Sequence, residues 1–540
     1  MYGSYLNKEH VKMIQQIYST AEQDLRPCGP AVLQLFNSIK PLYIGHPPQD
    51  PQDQHLELEQ ITSSLIRLAD ERILSYHYKD VPTCWRQLHT DASLLQGILT
   101  VVSYMTDLTP EEQKSRFLKT IRQLDLVIIV AGAPGQGRYE LVLDLIKRIQ
   151  ERYTKVRDDN QPRQSPAKRR KLSEDNRKEQ AKARPRISPM VDHPIISLRS
   201  FPSFESYLEL YHKEPFIVSG GSLDWPANEL WCDQKYLQEK AGVGRCVPVE
   251  VGKEYTEREW RQEILPFEQV LNSVFEVSEY RPMTRVIHSD GQVTSRYNLP
   301  KPVHYLAQHD LFRQIPDLRN DILIPDIVYS APPEGSKECP EYVSPKNEDG
   351  YVLNAWLGPK GTLSPAHTDP YYNCYGELDG QSSISAVVYA TDQREASTAQ
   401  VVGSKWIWVA PPSCSPAMSA FGLSSSTEDP TSDETEDDDQ SPHHSHLLTN
   451  TSRIDVSSPD TYDAAFKEQV VPFAQQAVLQ KGDVLVLPPG WWHSLKGLEI
   501  ALLLAWKLDF KWGIVRAEVS PNNLYCPMGN CTFRPVHKTI

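Results

Sequence analysis

The chain has 540 residues, of which 39% are hydrophobic and 23% are charged, and its formal net charge is −14. This length and composition predict two to four globular domains with a large core. They exclude a membrane span, because no run of about 18 apolar residues occurs, and the polar N-terminus lacks the apolar core of a secretory signal.

Residues 1–155 are predicted to form an α-helical domain, which is a candidate interaction module. Apolar residues recur with a helical spacing in "LELEQITSSLIRLADERILSY" and "YELVLDLIKRIQERY". Gly132 and Gly137 have the spacing of a phosphate-binding loop, but Arg138 and Tyr139 stand where such a loop carries Lys and Ser or Thr. The sequence therefore favours a turn between two helices over a nucleotide site.

Residues 156–192 are predicted to be a disordered basic linker, because they are charged and poor in apolar side chains. The cluster Lys168-Arg169-Arg170-Lys171 is similar to a nuclear-import signal, and the alternative is a solvated run of charge. We expect the protein in the nucleus, with the cytoplasm as a second location. Nine scattered cysteines, an odd number, also fit a reducing compartment.

Residues 193–540 are predicted to form the second domain. Short strand patterns such as "YVLNAWLG", "KWIWVAPP" and "DVLVLPPG" follow one another between turn residues, which indicates a sandwich or barrel. Two inserted loops are expected at 376–398 and 422–445. The first is polar and interrupts an otherwise continuous strand pattern, so it is either a loop or an untrimmed intron in the gene.

A candidate metal site is divided between two motifs of this domain. In "SPAHTDPYYN", His367 and Asp369 stand two residues apart, so on a strand both side chains face the same side. In "KGDVLVLPPGWWHSL", His493 follows a Pro-Pro-Gly bend after an apolar strand. Two histidines and one carboxylate form the facial triad of non-haem Fe(II) oxygenases, which leaves metal positions open for a 2-oxo acid and O₂.

These motifs, together with "FESYLELYHKEPFIVSGGSLDWPA" and "AQVVGSKWIWVAPP", resemble the JmjC (Jumonji-C) family of 2-oxoglutarate oxygenases over roughly residues 193–515. The resemblance implies an α+β fold, with an N-terminal α-helical domain and a C-terminal double-stranded β-helix. The latter is a jelly-roll, cupin-like JmjC barrel with flanking helices. It also implies Fe(II), 2-oxoglutarate as co-substrate, and O₂.

The resemblance further implies a cofactor pocket. Lys405, in "VVGSKW", matches the lysine that pairs with the far carboxylate of 2-oxoglutarate. Tyr305, Ser364 and Asn373 match polar groups that line this pocket. Trp356 lies on an inward-facing strand and is either a cofactor or substrate contact or part of the core. No catalytic residue beyond the metal centre is expected.

The implied function is dioxygenase chemistry on a protein side chain, in a histone or another nuclear or ribosomal protein. Arginyl hydroxylation is favoured over demethylation of a histone methyl-lysine, because no chromatin-reader finger with paired Cys and His ligands occurs. A further alternative is a cupin-like metal-binding or interaction module without oxygenase activity. Lys405 distinguishes the two classes, since such a module needs no buried cation. The sequence shows no direct nucleic-acid motif, predicts no membrane association, and leaves the oligomeric state open.

Overall fold

The structure is a computed structural model that describes residues 7–44, 51–77, 80–102, 108–159, 193–252, 260–275, 285–287, 293–295, 303–329, 351–369, 373–377, 398–399, 404–421, 449–498 and 501–508. The predicted import cluster 168–171, nearly all of the predicted linker, and the predicted insertion 422–445 lie outside these residues. None of the described helices combines the length and apolarity needed to cross a membrane.

The first part of the described chain is helical, as predicted. Its helices are α1 Lys8–Leu25, α2 Pro30–Ser38, α3 Lys40–Ile44, α4 Pro51–Leu74, α5 Thr83–Val102, α6 Pro110–Leu126 and α7 Arg138–Asp159. Helix α5 is buried along almost its whole length and forms the centre of this helical half. Helix α6 begins with a capping box in which Thr109 and Glu112 satisfy each other's backbone amides.

The Gly-rich segment between α6 and α7 forms a turn between two helices. It continues α6 as a π-helical turn, Val127–Ala131, which ends at Gly132 in the left-handed conformation with φ 80°. Arg138, at the start of α7, is fully buried and its Nε lies 2.9 Å from Asp91 Oδ1. The predicted turn between two helices is therefore confirmed.

The second part of the chain is built mainly of strands. They are β1 Ile196–Leu198, β2 Phe216–Val218, β3 Cys246–Val251, β4 Arg261–Pro266, β5 Arg285–Ile287, β6 Val293–Ser295, β7 His304–His309, β8 Tyr351–Gly358, β9 Leu363–Thr368, β10 Asn373–Glu377, β11 Thr398–Ala399, β12 Lys405–Ala410, β13 Gln475–Leu479, β14 Val484–Leu487, β15 Trp492–Gly497 and β16 Ala501–Leu508. Short helices flank them: α8 Phe204–Ser206, α9 Ala227–Leu230, α10 Gln234–Ala241, α11 Phe267–Phe275, α12 Leu311–Gln314 and α13 Ala464–Gln469.

Two sheets form the barrel. The larger has the order β1-β2-β14-β10-β16-β8-β7-β3-β4, with β11 beside β16, and the smaller has the order β13-β12-β15-β9. Along the chain, β8, β10, β14 and β16 belong to the larger sheet, whereas β9, β12 and β15 belong to the smaller one. This alternation between two antiparallel sheets is the double-stranded β-helix that the resemblance implied, so the predicted α+β fold is confirmed.

Three apolar layers pack against the two barrel sheets, one between the sheets and one on the outer face of each. The barrel interior contains Ile407, Val409, Leu485 and Leu495. A second layer lies under the outer face of the larger sheet, where Val247, Val249 and Val251 of β3 pack with residues of α11 and α12; a third lies behind the smaller sheet, against α13. Because the interior is closed by these layers, a polar side chain that points inward is shielded from bulk water.

The predicted insertion 376–398 begins and ends on the larger sheet. Gly376 of β10 and Ala399 of β11 both lie in register with Leu504 of β16. The intervening residues 378–397 lie outside the described part of the chain. The domain boundaries and the nature of this segment therefore stay predictions.

Candidate metal centre and cofactor pocket

His367, Asp369 and His493 come together inside the barrel. His367 is on β9 and His493 is directly opposite it on β15, with ring centroids 4.2 Å apart. Asp369 follows β9 immediately. All three side chains are at most 2% exposed. The structure therefore brings together the three side chains that the sequence placed in one metal site.

Backbone contacts hold the end of β9 that carries Asp369. Both backbone groups of Thr368 are hydrogen-bonded to Asn450. The Thr368 N–H donates to Asn450 O at 2.9 Å, and the Thr368 carbonyl accepts from Asn450 Nδ2 at 2.8 Å. Gly490 of the Pro-Pro-Gly bend donates its N–H to Asp369 O at 2.8 Å. Gly490 has φ +72°, which L side chains rarely adopt, so glycine suits this turn.

The two histidine rings are oriented by backbone carbonyls. His367 Nδ1 lies 2.7 Å from Pro365 O, and His493 Nδ1 lies 3.0 Å from Trp491 O. A carbonyl oxygen only accepts hydrogen bonds, so each neutral ring carries its proton on Nδ1. The lone pair of each Nε2 is then available to a metal ion.

The spacing of the donor atoms fits a single ion. One ligand atom from each of the three residues lies within 4.8 Å of the other two. His493 Nε2 is 3.9 Å from Asp369 Oδ2, which is within the about 4.2 Å that two ligands can span when each is about 2.1 Å from one ion. Two imidazoles and one carboxylate are the donor set that suits non-haem Fe(II). Within the described residues this is the only such group of His, Cys, Asp or Glu side chains.

An irregularity in β9 places Ser364 on the inner face of the sheet. The β9/β15 register shifts between His493 and Leu495, so Leu495 lies opposite Ser364, and Pro365 and Ala366 together face the single residue Ser494. Proline lacks the N–H that a regular ladder needs, which makes it suited to a bulge. Ser494 Oγ donates to Ser364 O at 2.8 Å and ties the bulge to β15.

Lys405 is a buried cation on the same sheet face as the histidines. On β12, Val409 lies opposite His493, and Lys405 is four residues before Val409, so both face the same side. Four residues correspond to about 13 Å along a strand. Lys405 is 2% exposed, and its Nζ lies 5.9 Å from the centroid of the Tyr305 ring. The barrel therefore holds one positive group at a distance from the three metal-type ligands.

Tyr305 and Ser364 lie with Lys405 in one polar cluster. The Tyr305 phenol, on β7, shares a hydrogen bond with the Ser364 side chain. Burial raises the pKa of this phenol, the Ser364 hydrogen bond opposes that rise, and the charge of Glu250 adds to it. The phenol therefore stays protonated at neutral pH and can donate a hydrogen bond to a carboxylate.

The structure says less about the two remaining predicted pocket residues, Asn373 and Trp356. Asn373 begins β10 opposite Leu487, but its side chain lies outside the described part of the structure. Trp356 is on β8, 2% exposed, and packs in the interior cluster that also contains Tyr305 and Ile407. A cofactor or substrate contact by either residue stays a prediction.

Glu250 is a site candidate that the sequence reasoning missed. It lies on β3 directly opposite Tyr305, whereas Val249 and Val251 on either side of it belong to the layer outside the sheet. Strand alternation therefore directs Glu250 toward the barrel interior. Burial raises the pKa of its carboxyl to about 7. The alternation is visible in "VPVEVG". An acidic residue between valines ordinarily faces water, so the sequence alone did not indicate that Glu250 points inward.

Comparison with known proteins agrees with this geometry. A family model described as "Cupin-like domain" matches residues 203–507. Jumonji C domain-containing protein 5 of Drosophila melanogaster is 31% identical over 313 residues, 57% of this chain and 56% of that protein. Lysine-specific demethylase 8 of Danio rerio is 31% identical over 338 residues, which are 62% of this chain and 62% of that protein. Lysine-specific demethylase 8 of Xenopus tropicalis is 30% identical over 315 residues, which are 58% of this chain and 51% of that protein. The matches thus span only part of these relatives.

Proposed function

The chain belongs to the cupin-like JmjC domain family, and from this premise we propose that it is an Fe(II)- and 2-oxoglutarate-dependent oxygenase of a protein side chain. The observation that carries the proposal is the pairing of two features in one barrel. His367, Asp369 and His493 offer a buried metal site, and Lys405 supplies a buried cation on the same sheet face. A metal-binding module without oxygenase activity needs the first feature but not the second.

The residues have separate tasks in this proposal. His367, Asp369 and His493 would hold the iron, and Lys405 would pair with the far carboxylate of 2-oxoglutarate, where low solvent exposure strengthens the attraction. Tyr305 and Ser364 would hydrogen-bond the same carboxylate. When bound, iron, 2-oxoglutarate and O₂ supply oxidative decarboxylation to succinate and CO₂ together with oxidation of a substrate C–H bond. The apolar interior excludes water from that chemistry.

For the substrate, we place demethylation of a protein methyl-lysine first. Two of the three relatives described above carry the name lysine-specific demethylase 8, which fits this reaction better than the arginyl hydroxylation favoured by the sequence. Histones are the substrate class that such a name suggests. We also propose a nuclear location, supported by the basic cluster 168–171 in the sequence.

Arginyl hydroxylation is the second candidate, and Glu250 supports it. A carboxylate accepts two parallel hydrogen bonds from a guanidinium, whereas a trimethylated ammonium has no N–H to donate. Glu250 lies opposite Tyr305 at the edge of the proposed pocket and faces the barrel interior. A carboxylate in this position suits either cation electrostatically and favours the arginine by hydrogen bonding.

Mass spectrometry of peptides incubated with the protein, Fe(II), ascorbate and 2-oxoglutarate tests the proposal. A demethylase releases formaldehyde from a methyl-lysine peptide, whereas a hydroxylase adds one oxygen atom to an unmethylated arginyl peptide. Either product should disappear in His367→Ala. Failure of the wild-type protein to consume 2-oxoglutarate with any such peptide would leave the metal-binding module as the better explanation.

A further inference from the structure

A buried ion pair joins the helical half to the start of β3, a strand of the larger barrel sheet. Asp125, at the end of α6, accepts from Arg245 Nε at 2.9 Å and from Arg245 Nη2 at 2.7 Å through Oδ1. Its second oxygen, Oδ2, accepts from the backbone N–H of Cys246 at 2.8 Å. Asp125 is fully buried and Arg245 is 6% exposed. The carboxylate therefore fixes both the side chain before β3 and the first peptide of β3.

The same network continues to the end of β7. Arg245 Nη2 donates to Gln314 O, and Gln314 Nε2 donates to Cys246 O. Gln314 Oε1 is hydrogen-bonded to His309 Nε2, and both side chains are buried. One helix of the helical half is thus connected through buried polar contacts to β3, α12 and the last residue of β7.

The loop before β3 is also covered by the helical half. Gln150 of α7 donates from Nε2 to Ala241 O at 3.2 Å and to Val243 O at 2.9 Å. Gly244 has φ +80°, and a Cβ there would come within 2.8 Å of Leu118 of α6. The loop therefore has a backbone shape that fits closely against α6 and α7.

Strands β3 and β7 connect this contact to the proposed pocket. They pair antiparallel, with Glu250 opposite Tyr305. Cys246 is four residues from Glu250 along β3, and His309 is four residues from Tyr305 along β7. The network therefore holds one end of a strand pair whose other end, about 13 Å away, carries two pocket residues.

We propose that Asp125 is a positioning residue of the catalytic site and that the helical half is a structural part of the catalytic unit. The inference rests on the proposed function, because it assigns Tyr305 and Glu250 to the 2-oxoglutarate and substrate pocket. Loss of the Asp125 charge leaves the Arg245 guanidinium buried without its counter-charge. The start of β3 then moves, and the strand pair carries that movement to Tyr305 and Glu250.

The test compares Asp125→Asn with Asp91→Asn in the full-length chain. Asp91 is also a fully buried carboxylate of the helical half, and it pairs with Arg138, whose hydrogen bonds go to α1 and to its own turn. Asp125→Asn should raise the KM for 2-oxoglutarate by about 3-fold or more, because small displacements at a binding site have large effects. It should also speed hydrogen exchange in residues 246–251 and 304–309.

Asp91→Asn should lower the unfolding temperature but leave this KM and the exchange of both strands unchanged, when measured below the unfolding transitions. The inference is overturned if Asp125→Asn changes only the unfolding temperature, or if both variants change KM alike. Gln150→Ala, a milder change at the same contact, should act like Asp125→Asn to a smaller extent and decides the matter if Asp125→Asn does not fold. If the wild-type protein consumes no 2-oxoglutarate, the proposed function fails, and the exchange measurement still decides whether Asp125 holds the strands.

Discussion

The charge of a single side chain, Lys405, is what distinguishes the proposed oxygenase from a plain metal-binding barrel. Lys405→Met keeps much of the side-chain length and removes the charge from a group that is 2% exposed. Charged hydrogen bonds contribute about 1.5–3 kcal/mol, so the KM for 2-oxoglutarate should rise roughly 10- to 100-fold. Metal affinity should stay unchanged, because the residues proposed as ligands are not altered. Kinetics in 2-oxoglutarate and a metal titration measure the two effects separately, and loss of metal affinity with an unchanged KM would contradict the assignment.

A second prediction at this scale concerns Glu250 and pH. Its pKa of about 7 means that the carboxyl is neutral below pH 7 and negative above it. A cationic peptide should therefore bind more tightly as pH rises from about 6 to about 8. Tyr305, the residue opposite, stays protonated over this range because burial raises its pKa. In Glu250→Gln, the KM of the peptide, measured at saturating 2-oxoglutarate, should no longer fall as the pH rises from about 6 to about 8. An identical pH profile in the variant would remove Glu250 from the pocket.

At the scale of secondary-structure elements, the turn before β15 fixes the geometry of the metal site. Gly490→Ala places a side chain at φ +72° with its Cβ 3.4 Å from Pro412, so we expect about 1–2 kcal/mol of destabilisation. The strain should also displace the N–H that donates to Asp369 O and weaken metal binding. Gly361→Ala is the matched control, since it has φ +89° and no atom near its Cβ. Thermal unfolding should show a similar loss of stability for both variants, whereas a metal titration should show weaker binding only for Gly490→Ala. Equal metal affinities of the two variants would contradict the role of the turn.

The secondary-structure elements also show which features could be predicted from the sequence and which could not. The strands that carry His367 and His493 were predictable, because strand alternation and a Pro-Pro-Gly bend are local signals. The inward direction of Ser364 was not predictable from alternation, since the bulge at Pro365 and Ala366 changes which residue faces inward. Glu250 was missed because alternation does not reveal that a second layer covers the outer face of β3. Asp125 and Arg245 were missed because their contact joins residues 120 positions apart.

At the scale of the whole molecule, the helical half and the barrel share a buried polar interface. A chain that begins at residue 193 would leave Arg245 without Asp125 and would uncover the loop at Gly244. The truncation also removes the hydrogen bonds that Asp125 and Gln150 make to this region, so the shortened chain should unfold at lower denaturant concentration. Equal stability of the short and full-length chains would instead support a separate interaction module, as the sequence first suggested.

For the whole protein, we propose that three buried side chains bind the iron that drives 2-oxoglutarate turnover. Succinate formation in the full-length protein tests this most directly, with Fe(II) present or removed by a chelator. Succinate should form only when Fe(II) and 2-oxoglutarate are both present. No succinate should form in His367→Ala, whereas the control His10→Ala, which changes a buried histidine of the helical half, should retain turnover. Undiminished succinate formation in His367→Ala, or formation that does not depend on Fe(II), would contradict the claim.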